Sequence, residues 1–149
     1  MPPHLPYLLL AISVGACVAV QSGVNAQLRL YLGHPALAAL TNFIVGTLAL
    51  VLFLLATRAP WPTLAAVGRA PAWTWIGGLL GAFYVASAVV IAPKLGAASM
   101  FALVIAGQVV MSLLLDQFGW IGFPEHPINI WRIVGALFLV VGVVLVVRN

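Results

Sequence analysis

The sequence predicts an all-α integral membrane protein of five spanning helices, and three observations predict it. The chain of 149 residues is 64% apolar and only 5% charged, with mean hydropathy +1.21, whereas a soluble domain carries about a quarter charged residues. Five stretches approach the length of about 20 mostly apolar residues that a spanning helix needs. The polar residues inside those stretches are chiefly uncharged amides and hydroxyls, spaced at helical intervals.

The spans fall at residues 5–28, 35–57, 73–92, 97–115 and 129–147, and form a single transmembrane domain over 1–149. The first resembles a signal peptide at Val24-Asn25-Ala26. However, Met1-Pro2-Pro3-His4 supplies no basic n-region, so it is read as a retained helix. The connection between spans two and three, Arg58 to Pro71, holds prolines that disfavour a continuous helix, and Trp61, Trp73 and Trp75 suit the headgroup level. Pro93-Lys94-Leu95-Gly96 reads as a very short turn between spans three and four. Asp116 to Pro127 reads as a second interfacial loop.

An odd number of spans puts the termini on opposite faces. One face then carries Arg58, Arg69 and Arg132, the other Arg29, Lys94 and Arg148. The Lys/Arg excess orients a membrane protein, and three against three gives no bias, so dual topology is expected. Two oppositely inserted copies pair as an antiparallel homodimer, which reproduces with one sequence the inverted repeats of many transporters. The scattered cations do not form the clustered patch of a nucleic-acid binder. Cys17, the only cysteine, excludes an intrachain disulfide and fits a small apolar role.

In span one, Gln21, Asn25 and Arg29 step by four and share one broad face, since a step of four drifts by about 40°. Ser22 lies on the same side. In span four, Gln108, Ser112 and Asp116 repeat that step. Buried amides face a bundle interior or a wet cavity, so each stripe is either cavity lining or interhelical glue. Span two places Asn42 and Gly46 one turn apart, a spacing that suits close packing. Span three carries a Gly77–Gly81 notch followed by Tyr84, whose hydroxyl needs a partner and makes it a cavity candidate. In span five, Gly135 and Gly142 share a face and suit a dimer seam. No Asp or Glu lies deep in any span, His4, His34 and His126 lack metal-ligand spacing, and no catalytic motif is present. No enzyme activity, metal or cofactor is therefore expected.

Several segments together resemble the drug/metabolite transporter superfamily, and most closely its small YdcZ-like family of five-span inner-membrane proteins. These are Gly23-Val24-Asn25-Ala26-Gln27-Leu28-Arg29, Asn42-Phe43-Ile44-Val45-Gly46, the Gly77 to Ala98 segment, Gly107-Gln108, Leu115 to Gly119, and the terminal Gly135 and Gly142 helix. The resemblance implies a five-span unit of the bacterial inner membrane. It would pair, with itself or a related chain, into a ten-span transporter-like assembly. The Gly135/Gly142 helix is similar to the dimer-forming terminal helix of small multidrug resistance proteins. Where those carry a first-helix glutamate that binds protons and cationic drugs, this chain has Gln21 and Asn25.

The leading expectation is a secondary transporter or exporter of a small metabolite or drug, working by alternating access at a midplane cavity. Gln21, Asn25, Tyr84, Gln108 and Ser112 are expected to bind substrate. Arg29 and Asp116 would act as gate or coupling residues, with Gly135 and Gly142 in dimer packing. The alternatives are a non-transporting membrane assembly subunit or a lipid-handling protein. Lipid is the surroundings in each case.

Overall fold

The computed structural model describes residues 4–149; the proline-rich Met1-Pro2-Pro3 lies outside them. Among the described residues the regular structure is entirely helical: α1 (Leu5–Leu32), α2 (Pro35–Ala56), α3 (Leu64–Gly68), α4 (Ile76–Leu95), α5 (Ala97–Phe118) and α6 (Ile130–Arg148). Five helical segments are long and apolar enough to cross a membrane; the third is α4 together with the 3₁₀ turn Ala72–Trp75 that leads into it. Five such helices confirm the predicted fold class.

The chain divides into two compact units, Met1–Pro93 and Lys94–Asn149. In the first, α1 packs on α2. Their connection is two residues long, and the sequence dictates its form. Gly33 takes the left-handed conformation (φ 76°) that closes α1 by donating its N–H to the Arg29 carbonyl at 2.8 Å. His34 then caps α2, its Nδ1 accepting from the Ala36 N–H at 3.2 Å, with Pro35 at the first helical position. The small residues Ala38 and Ala39 are buried next to this corner, which lets helices approach closely in lipid. On α4, the position where a Gly81 side chain would start lies 3.5 Å from the Phe43 ring of α2. Val85, Ala88 and Val89 of α4 are also buried.

In the second unit α5 packs on α6. Gly119, at φ 60°, ends α5, and Asn129 starts α6 by accepting the Arg132 N–H at 3.0 Å on its side-chain oxygen.

Four boundaries differ from expectation. Helix α5 runs to Phe118 rather than residue 115, so that Asp116 and Gln117 lie in its last turn and Gly119 stops it. Helix α1 runs one turn beyond residue 28, because Arg29 to Leu32 are good helix formers and only Gly33 stops them. The expected Pro93-Lys94-Leu95-Gly96 turn shrinks to Gly96 (φ 79°). Pro93 sits in the last turn of α4 and forfeits a single helical hydrogen bond there, so the helix continues to Leu95. The loop after α2 contains α3, capped by the Thr63 hydroxyl accepting from the Ala66 N–H at 3.2 Å and bounded by prolines on both sides.

Large apolar side chains cover the outside: Leu48, Phe83, Phe138 and Leu145 are all well exposed. Such a surface would aggregate in water and is solvated by acyl chains in a bilayer.

Candidate functional site

The α1–α2 contact contains a polar seam inside two apolar helices. The Gln21 Nε2 group donates to Asn42 Oδ1 at 3.0 Å. Asn42 stands about 10 Å along α2 from Pro35, a depth at which an amide without a partner is costly. One turn along α1 from Gln21, Asn25 is 5% exposed, as is Ser22. Ser22 is satisfied locally, donating to the Val18 carbonyl at 3.1 Å. The Asn25 amide has no hydrogen-bond partner among the described residues. No buried, unpartnered side-chain nitrogen or oxygen is sealed from the surroundings, so both Asn25 amide atoms retain an opening.

That opening is a shallow, open-sided recess where Cys17, Gln21, Asn25 and Asn42 meet the valines Val20 and Val24. A neighbouring recess runs along α2 from Gln21 and Asn42 past Phe43 and Gly46 to Thr47. Gln21 and Asn42 are common to both.

Of the residues expected to bind substrate, Gln21 and Asn25 thus come together, and Asn42 joins them. The spacing of Asn42 to Gly46 predicts a packing residue. Nothing lies within 4 Å of where a Gly46 side chain would start, so this face of α2 is open. Asn42 was detectable as an amide alone in an apolar span; the register that brings it to Gln21 was not. Cys17 is exposed rather than packed inward, and it lines the recess.

The other candidates stand elsewhere. Tyr84 is half-buried on α4, and it borders neither recess. Arg29 is half-buried in the last turn of α1. In the second unit Gln108 is exposed, and the Ser112 hydroxyl donates to the Val109 carbonyl of its own helix at 2.9 Å. Gly135 and Gly142 have open space where a side chain would start.

Asp116 is engaged in a clasp between the end of α5 and the start of α6. Its carboxylate meets Arg132 Nη2 at 3.1 Å, and its carbonyl accepts the His126 N–H at 2.8 Å. Arg132 Nη1 donates to the His126 carbonyl at 3.0 Å, and Gln117 Oε1 accepts from the Ile128 N–H at 2.6 Å.

Five apolar helices with a polar seam between the first two define a multi-pass membrane protein. The family model described as "Putative inner membrane exporter, YdcZ" matches residues 6–145. The chain is also 31% identical, over 142 residues and 95% of each protein, to the inner membrane protein YdcZ of Escherichia coli (strain K12). No solved structure matches. The chain belongs to the YdcZ family, whose description is that of an inner membrane exporter, and is a multi-pass protein of the bacterial inner membrane.

Proposed function

We propose that this exporter moves a small metabolite or drug by alternating access, and that the α1–α2 seam is part of the face that holds the substrate. The observation that carries the reading is the Gln21–Asn42 hydrogen bond with the open, buried Asn25 amide one turn away. Amides that served only as glue between helices would close on each other. Here one amide is left with both atoms accessible, which is what a binding face requires.

The five spans supply half of a ten-span assembly. A second, inverted copy, or a related chain, completes the cavity around the membrane midplane. Gly135 and Gly142, with open space above them on α6, form the seam between copies. Tyr84, Gln108 and Ser112 contribute polar groups to the completed cavity. Arg29 and Asp116 act at its ends, Asp116 by release and reformation of its pair with Arg132.

The test is untargeted profiling of the medium of cells overproducing the protein, against cells making Asn25→Leu at equal membrane abundance. At least one compound is expected to accumulate outside only with the native chain. An unchanged profile in Asn25→Leu and Gln21→Leu cells would remove the seam from the site.

A further inference from the structure

We infer that the α1–α2 seam selects an electrically neutral ligand, an apolar body carrying an amide- or hydroxyl-like group, and discriminates against organic cations and anions. The inference rests on the reading of this seam as a binding face.

Among the described residues, no Asp, Glu, Lys, Arg or His lines either recess. A charge taken from water into such surroundings without a counter-charge costs several kcal/mol. A neutral group that can both donate and accept loses little if the site offers matching atoms. This one does. The Gln21–Asn42 bond uses one donor and one acceptor and leaves Gln21 Oε1 and the Asn42 amino group free. Exchanging the oxygen and nitrogen of both amides leaves the same balance, so the conclusion does not depend on which way they point. Asn25 adds a second acceptor and a second amino group, both open. A carboxylate would face acceptors it cannot use and an ammonium would face amino groups it cannot use. A neutral amide or diol satisfies both kinds, while Val20, Val24 and Phe43 receive the apolar body.

Benzamide, benzoate and benzamidinium have nearly one shape and three charges, so they isolate the variable. Thermal unfolding of the purified full-length protein in nanodiscs is measured with each probe, because a ligand of the native state raises the melting temperature by mass action. Benzamide is expected to raise it, with the two ions weaker by at least about tenfold in apparent affinity, a difference of about 1.4 kcal/mol. Asn42→Ala is expected to abolish the benzamide shift. Asn25→Asp and Gln21→Glu, which add a counter-charge at nearly constant shape, are each expected to turn the preference to benzamidinium.

A native protein that prefers either ion, or is not shifted by benzamide, overturns the inference. So does a benzamide preference unmoved in both charged variants. If Asn25→Ala stops extrusion while benzamidinium outcompetes benzamide, the site stands and its neutral selectivity falls. If extrusion continues in Asn25→Ala, the site reading itself falls, and the inference with it.

Discussion

The two span pairs of this protein use polar residues in opposite ways. Between α5 and α6 the polar groups gather at the helix ends, where Asp116, Gln117, His126, Asn129 and Arg132 bind one another or nearby backbone. Between α1 and α2 they lie within the span, and only one of the available amide bonds is made. A polar cluster whose donors and acceptors are matched fixes geometry. One that is left partly unmatched inside an apolar layer is stable only if something else completes it. The first sets how the helix ends meet while its pair is closed, and the second is where a ligand is to be sought.

The largest effect expected in breaking this comparison is on the clasp. Arg132→Ala strands the Asp116 carboxylate and the His126 carbonyl together, and should lower stability by about 2 kcal/mol. Thermal unfolding in detergent measures it, with Arg132→Lys recovering part of the loss. Gly119→Ala should cost about 1–2 kcal/mol from its left-handed backbone alone. The new methyl would also start 2.7 Å from Glu125 Cγ, so the loss should shrink when Glu125→Ala is combined with it.

The seam should behave differently. A double-mutant cycle of Gln21→Leu and Asn42→Leu is expected to give a coupling of only about 0.6–1.7 kcal/mol, the usual range for polar contacts between membrane helices. Extrusion should nevertheless be lost in both single variants. A stability loss as large as that of Arg132→Ala would make the seam a second clasp. The smallest effect is a gain. Ile121, a β-branched residue at φ 60°, is strained, and Ile121→Gly should raise stability by under about 1 kcal/mol, since glycine also loosens the unfolded chain.

The spans were legible because the chain must hide every backbone polar group from hydrocarbon, and runs of 20 apolar residues permit only helices. Polar stripes at steps of four were legible for the same geometric reason, and they led to Gln21 and Asn25. What was not legible depends on register between helices. Nothing in the residues around Asn42 states that it meets Gln21, and the pairing of Asp116 with Arg132 arises from the path of the intervening loop. Pro93 misled because proline is read as a breaker, whereas in a last turn it removes one bond from a helix about to end.

The spanning helices differ in length by more than a bilayer can ignore. Helix α1 has 28 residues and α6 has 19, about 42 Å against about 28 Å, while the hydrocarbon layer is about 30 Å thick. Helix α6 matches that layer nearly upright. Helix α1 must tilt or extend its Arg29-bearing end into the headgroups. Thickness therefore acts on the two helices unequally. A thicker membrane would let α1 stand straighter and stretch past the reach of α6, so lipid chain length becomes a control variable for the helix that carries Gln21 and Asn25.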